Sequence, residues 1–190
     1  MSTSRNLWLQ RHAPVVAEPG LCYGATDLEA HADATLEAAQ RIAPLLPADI
    51  TLISSPLRRC AGLADAIAAL RPDLRVQHDA RLAEMNFGGW EGRPWSAIPR
   101  EDFEAWTGNF ADAPAGGHGE SVRAFMQRVA AAHDEWLAGK GDALWVTHAG
   151  VLRAMTLLHR GVGCPAAAAD WPAGEIAFGS WLTFDNSPAI

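Results

Sequence analysis

Short apolar runs recur along the chain, each bounded by glycine, proline or polar residues. Many of their residues are β-branched or aromatic, a composition that favours strands. We therefore predict five strands, at residues 7–9, 50–54, 74–77, 143–147 and 180–184.

Longer segments between these runs place apolar residues at three- and four-residue steps, which is the spacing of an amphipathic helix. They predict helices over 31–46, 57–70, 119–139 and 150–161, with Pro44 ending or kinking the first. Because strands and helices alternate throughout, we predict an α/β fold: a three-layer α/β/α sandwich around a mostly parallel, doubly wound sheet. The length of 190 residues suits a single domain spanning 1–190.

Residues 85–120 depart from this alternation. The segment is rich in glycine, proline and tryptophan and has no clear helical or strand periodicity. Long irregular segments in compact domains often carry function, so we predict a lid or substrate loop here.

Composition narrows the class of protein. The formal net charge is −7 and Lys140 is the one lysine, whereas nucleic-acid binding usually needs a basic surface. No apolar run approaches the ~18 residues of a membrane span, and the start of the chain does not resemble a secretory signal, so we expect a soluble, cytoplasmic protein. Cys22, Cys60 and Cys164 are far apart and odd in number, which favours free thiols over disulfides or a zinc site. We expect neither a metal nor a cofactor.

Cationic and imidazole side chains follow three of the predicted strands. His12 follows the first strand with Arg11 before it, His148 follows the fourth, and Arg58 and Arg59 open the helix after the second. Ligands of open α/β sheets bind beyond the carboxyl ends of the strands, and a helix N-terminus favours anions. The pattern therefore predicts a local anion pocket in an acidic protein.

A phosphoryl group suits such a pocket. Arginine binds its oxygens through two parallel hydrogen bonds, and a histidine nitrogen can attack phosphorus. An ester oxygen that leaves also needs a proton, and we assign this donor role to Glu84, with Glu91 and Glu120 as weaker candidates. The chain has no phosphate-binding G-x-x-x-x-G-K-[ST] loop and no G-x-S-x-G nucleophile motif.

Four motifs in order carry a resemblance to a known family. They are QRHA at 10–13, SSPLRRC at 54–60, RLAEMNFGGWEG at 81–92 and VTHAGVLRA at 146–154. Together they resemble the histidine phosphatase, or phosphoglycerate-mutase-like, superfamily.

The resemblance implies a role for each matching residue. His12 would accept the phosphoryl group, Glu84 would donate the proton, and Arg11, Arg59 and His148 would hold the phosphoryl oxygens. It selects Arg59 over Arg58, a choice that spacing leaves open. It also implies that Tyr23, Gly24 and Ala149 contact substrate.

The resemblance further implies a metal-independent phosphomonoesterase that acts on a small-molecule phosphate ester through a phosphohistidine. The segment GLCYGATDLEA at 20–30 is most similar to the α-ribazole phosphatase branch of cobalamin assembly. A phosphatase or mutase for sugar or glycerate phosphates is one alternative, and a catalytically silent phospho-ligand binding domain is another. For the oligomeric state, a homodimer is one possibility. Ala13 stands where the family usually has glycine, which raises the question of whether its methyl group impairs phosphate binding.

Overall fold

A computed structural model of the chain describes residues 5–186. Its sheet has five strands: β1 (Asn6–Arg11), β2 (Thr51–Ser54), β3 (Val76–His78), β4 (Ala143–Thr147) and β5 (Trp181–Asp185). Their order is β3-β2-β4-β1-β5, with β5 alone antiparallel to its neighbour. All five predicted strands are confirmed, and no boundary is shifted by more than two residues.

Helices α1 (Ala32–Ile42), α2 (Arg58–Leu70), α4 (Val122–Ala138) and α5 (Ala149–His159) match the four predicted helices. The first ends earlier than predicted. Pro44 lies in a short 3₁₀ turn over Ala43–Leu45, because proline cannot donate the backbone hydrogen bond that would continue the helix.

The two faces of the sheet are buried by different helices. Leu7, Leu9 and Trp145 pack with α4 and α5, whereas Leu52 and Leu144 pack with α1 and α2. Neighbouring residues of a strand therefore bury opposite faces, as the two-residue period of a strand requires. This arrangement confirms the α/β fold with helices on both sides of a mostly parallel sheet.

Residues 85–120 form a series of 3₁₀ turns around one further helix, α3 (Arg100–Gly108). The prediction of a wholly irregular segment missed this helix. Gly88 and Gly116 have positive φ and lie where two segments of this region cross. A Cβ on Gly88 would lie 2.6 Å from the Ala115 carbonyl oxygen, and a Cβ on Gly116 would lie 2.2 Å from the Phe87 carbonyl oxygen. Only glycine fits this crossing. Across residues 5–186, no helix is both long and apolar enough to cross a membrane.

Candidate active site

His12 lies immediately beyond β1 and is 2% exposed. Its backbone N–H donates to the Thr147 carbonyl at 3.0 Å, so β4 fixes its position. Nδ1 lies 2.7 Å from the Ala13 carbonyl oxygen. A carbonyl can only accept, so Nδ1 carries the proton of the neutral ring and Nε2 keeps a free lone pair. His12 is thus in the tautomer that a nucleophile needs.

Burial also keeps the His12 ring neutral. Loss of solvent around the imidazole, with repulsion from the Arg59 and Arg11 charges, lowers the pKa of His12 to about 3. Hydrogen bonding to Ala13 opposes the shift without cancelling it. Near neutral pH the nucleophile candidate therefore needs no separate base to free its lone pair.

Arg59 opens α2 and is fully buried. Its guanidinium donates to the carbonyl oxygens of Gly24 at 2.6 Å and Thr26 at 2.7 Å, and its Nε donates to Nδ1 of His148 at 3.2 Å. These contacts fix the plane of the guanidinium. By contrast, Arg58 is exposed and pairs with Glu29. The two adjacent arginines are thus clearly distinguished by burial.

His148 precedes α5 and its ring centroid lies 5.2 Å from that of His12. Because Nδ1 accepts from Arg59, the neutral ring carries its proton on Nε2, which lies 2.9 Å from the Ser55 hydroxyl oxygen. Burial, followed by repulsion from Arg59, moves the pKa of His148 well below its ordinary value. The site therefore holds two neutral imidazoles beside the buried Arg59.

Arg11 completes the cationic group at the end of β1. Its guanidinium donates to the Ile176 carbonyl and lies 3.6 Å above the Phe178 ring centroid. Its Nε is buried and has no partner within the described residues, so one strong donor is unused. Burial lowers the pKa of Arg11, and the nearby Tyr23 and Glu84 oppose that shift.

Tyr23 and Gly24 lie beside the arginines. The Tyr23 ring lies 5.2 Å from the Arg59 guanidinium carbon, and burial raises the pKa of its hydroxyl against the influence of Arg11 and Arg59. The backbone of Gly24 holds Arg59 through its carbonyl, and a Cβ there would lie 1.8 Å from the Met85 carbonyl oxygen. Gly24 is therefore placed as a support of Arg59.

Glu84 lies at the end of the turn that follows β3. Its Oε1 accepts from the Met85 amide at 3.1 Å, and its Oε2 accepts from the Gly150 amide at 3.0 Å. Arg128 of α4 donates to the Glu84 backbone carbonyl at 3.0 Å. The carboxylate thus reaches the first turn of α5, next to His148.

The two weaker acid candidates have other contacts. Glu91 accepts from the Gly24, Ala25, Thr26 and Phe87 amides and from the Thr26 hydroxyl. Burial alone would raise the pKa of Glu91, but these hydrogen bonds lower it. The second candidate, Glu120, pairs with Arg128 at 2.7 Å. The Glu91 carboxylate therefore holds the loop at 24–26, and the Glu120 carboxylate holds Arg128 of α4.

Ala13 and Ala149 are the small residues next to the two histidines. Ala13 is fully buried, and Asp49 is the one non-glycine residue with positive φ among residues 5–186. The backbone at Ala13 therefore does not require glycine. Ala149 is the first residue of α5, where free helix amides favour an anion.

Two cavities share Glu84. The first, which we call the aromatic cavity, has a volume of about 400 Å³, and Gly150 and Arg153 contribute to its wall. Seven aromatic residues line it: Phe87, Trp95, Phe103, Trp106, Phe110, Phe125 and Trp171. The second, the polar cavity, has about 450 Å³ and is lined by Asn86, His118, Glu120 and Arg128 among others.

Three residues of the segment 85–120 differ in their position relative to these cavities. Trp95 lines the aromatic cavity and His118 lines the polar cavity, each together with Glu84. Trp90 is instead buried behind Trp95, with ring centroids 6.4 Å apart. In the part of the chain that the structure describes, no group of three or more His, Cys, Asp or Glu side chains could hold a metal ion.

Comparison with known families agrees with this arrangement. The model of the histidine phosphatase superfamily (branch 1) matches residues 7–186. The chain belongs to the histidine phosphatase superfamily. It is therefore a phosphatase, and the resemblance read from the four motifs is confirmed.

Two relatives of this phosphatase carry informative names. An adenosylcobalamin/α-ribazole phosphatase of Escherichia coli is 35% identical over 178 residues, which cover 85% of this chain and 81% of the relative. A mycobacterial glucosyl-3-phosphoglycerate phosphatase of known structure is 25% identical with a TM-score of 0.79, covering 96% of this chain and 90% of its own. A complex of the latter with inorganic phosphate has also been solved, and it matches with a TM-score of 0.77.

Sequence reasoning missed several residues of the site. Ser55 holds His148, Gly150 leaves room for the Glu84 carboxylate, and Phe178 packs on Arg11 and His12. Ser55 and Gly150 lie inside the motifs quoted above and close to the end of a strand, so the sequence could have indicated that they belong to the site. Phe178 lies far along the chain from Arg11 and His12, and no pattern in the sequence indicates that it contacts them.

Proposed function

We propose that the chain hydrolyses phosphate monoesters of small molecules through a phosphohistidine on His12, without a metal ion. The observation that carries this proposal is the state of His12. It is buried and neutral, with Nδ1 bonded to the Ala13 carbonyl and Nε2 free, and Arg59 lies close enough to lower its pKa. A buried neutral imidazole among guanidiniums suits attack on a bound anion.

In the first step Nε2 of His12 attacks phosphorus and the bond to the ester oxygen breaks. Arg11, Arg59 and His148 hold the phosphoryl oxygens, and Glu84 gives its proton to the leaving oxygen. The Nδ1 proton stays on His12, where the Ala13 carbonyl stabilises the positive charge of the phosphorylated ring. Proton donation supplies ~10²- to 10⁴-fold of rate. Most of the remainder comes from positioning and from the fixed cations.

In the second step water attacks the phosphorus of phosphohistidine. The Glu84 carboxylate, now deprotonated, accepts the proton of that water. The phosphorus–nitrogen bond breaks, inorganic phosphate leaves, and His12 returns to its neutral form. Glu84 ends the cycle protonated, as it began.

For the substrate we propose α-ribazole phosphate first, supported by the E. coli relative and by residues 20–30. Sugar or glycerate phosphates form the second candidate, supported by the mycobacterial relative. Phosphate release from α-ribazole phosphate, glucosyl-3-phosphoglycerate and p-nitrophenyl phosphate, measured with EDTA present, tests both the chemistry and the choice. A silent binding domain would bind these esters and release no phosphate, and loss of activity with EDTA would refute the metal-free step.

Other sequence expectations remain proposals. Residues 85–120 supply five of the seven aromatic residues of the aromatic cavity, which supports a substrate loop. Both apolar clusters pack on one sheet, which supports a single domain. A cytoplasmic location and a homodimer are tested by cell fractionation and by light scattering.

A further inference from the structure

The alcohol part of the substrate must begin at Glu84. Under the proposed function, the ester oxygen contacts the Glu84 carboxyl while His12 attacks phosphorus from the other side. The group attached to that oxygen therefore extends into space that Glu84 lines. Both the aromatic cavity and the polar cavity meet this condition.

Arg128 and Glu120, two of the charged residues that line the polar cavity, are already paired. Arg128 donates to the carbonyl oxygens of Arg81, Ala83 and Glu84 and to the Glu120 carboxylate. A ligand there would have to displace bonds that hold Glu84 in place. Arg128, on the wall of the polar cavity, therefore positions Glu84.

The aromatic cavity has the opposite character. Nearly half of the chain's Phe, Trp and Tyr residues line it, and its volume of about 400 Å³ lies within the ~300–1,000 Å³ usual for ligand sites. Trp95 is 38% exposed and Phe103 is 40% exposed. Exposed aromatic side chains clustered at one cavity indicate a binding surface, because folding alone would bury them.

Few polar groups line this cavity besides Glu84. The Thr107 hydroxyl donates to the Phe103 carbonyl at 3.0 Å, so its proton is already used. Arg153 uses Nε and one Nη2 proton on the carbonyls of Pro172 and Gly174. A polyhydroxyl alcohol would leave hydroxyls unpaired at about 1–3 kcal/mol each, whereas an aromatic ring gains about 0.5–1.5 kcal/mol per ring contact.

We infer that the aromatic cavity binds the alcohol part of the substrate and selects phosphate esters whose alcohol carries a planar aromatic ring. The inference rests on the proposed function, because it needs the ester oxygen at Glu84. Phe103 and Trp95 are its specificity-determining residues. Gly150 and Arg153, which follow His148 on α5, connect the cavity to the phosphoryl site.

Steady-state kinetics with three substrates test the inference. They are 1-naphthyl phosphate, glucose 6-phosphate and acetyl phosphate, the last being too small to reach the aromatic cavity. We expect wild type to prefer 1-naphthyl phosphate over glucose 6-phosphate in kcat/KM. Phe103→Ala is expected to lower kcat/KM for 1-naphthyl phosphate about tenfold, through KM, and to change acetyl phosphate turnover less than twofold.

Two control variants make the result specific. Leu137→Ala removes an apolar side chain from α4, outside the cavity, whose exposure (38%) is close to that of Phe103 (40%), and it should change no kinetic constant. His118→Ala alters the polar cavity and should leave 1-naphthyl phosphate kinetics unchanged. A loss with His118→Ala and none with Phe103→Ala would overturn the inference, as would a preference for glucose 6-phosphate. Absence of phosphate release from all three substrates in wild type would instead refute the proposed function on which it rests.

Discussion

Replacement of Gly150 by alanine tests the role of Glu84 without touching the carboxylate itself. A Cβ at position 150 would lie 2.0 Å from Oε1 of Glu84 and 3.0 Å from its Cδ. Contacts of this kind are not seen below 3.0 Å, so Oε1 must retreat by about 1 Å. The shift also weakens the 3.0 Å bond from the Gly150 amide, which holds the other carboxylate oxygen.

The size of the effect follows from this displacement. Misplacement of a catalytic group by about 1 Å costs ~10²-fold in rate. Stability should change little, because the clash involves the movable end of a side chain and alanine is the better helix former by about 1 kcal/mol. We therefore expect a folded protein with a selective loss of proton donation.

Two esters separate this loss from a general one. For glycerol phosphate, whose alkoxide needs a proton, Gly150→Ala should lower kcat/KM ~10²-fold. For p-nitrophenyl phosphate, whose phenolate leaves without a proton, the loss should be less than about fivefold. The constant kcat/KM excludes the later attack of water, so only the first step is compared.

Gly62→Ala is the matched control. Gly62 is an exposed residue of α2, and a Cβ there meets nothing within 4 Å. It should keep full activity and gain up to about 1 kcal/mol of stability. Equal losses for both esters with Gly150→Ala, or no loss for either, would refute the assignment of Glu84 as proton donor.

Three other predictions concern burial and charge. The pKa of His12 is about 3 in the folded protein and about 6.5 in the unfolded chain, so acid favours the unfolded chain. Wild type should therefore lose stability between pH 7 and pH 5. Replacing His12 with Asn should make that loss, measured by urea unfolding, smaller by about 2 kcal/mol. An equal loss in both proteins would contradict the neutral His12. Glu91→Gln should lower the free energy of unfolding by about 2–3 kcal/mol and raise KM, because the loop that Glu91 binds also holds Arg59. An unchanged free energy of unfolding would contradict this role of Glu91. Phe178→Ala should raise KM about fivefold, because Arg11 loses the ring that it stacks on; an unchanged KM would show that Phe178 does not position it.

The parts of the site that the sequence predicted are those set by the sheet. His12, Arg59 and His148 each follow a parallel strand, and the carboxyl ends of parallel strands meet at one edge. Periodicity and four motifs were therefore enough to bring them together. The choice between Arg58 and Arg59 needed the family resemblance; in the structure Arg59 is buried, whereas Arg58 is exposed and pairs with Glu29.

Other features left no readable pattern in the sequence. Helix α3 is short and has no buried residue, and its two large apolar side chains, Phe103 and Trp106, are too few for the recurring apolar stripe by which amphipathic helices are recognised. The role of Glu91 depends on backbone amides, which every residue carries. Phe178 reaches His12 and Arg11 only because the chain returns to pair β5 with β1. Such contacts depend on tertiary structure.

The central claim is that His12 carries the phosphoryl group. Rapid acid-free quenching of the enzyme with a radiolabelled phosphate ester, followed by peptide mapping, tests it most directly. We predict an acid-labile, base-stable label on His12 that His12→Ala abolishes. The control His78→Ala, which alters an exposed histidine at the end of β3, should keep the label. Label on another residue, or label that persists in His12→Ala, would contradict the account.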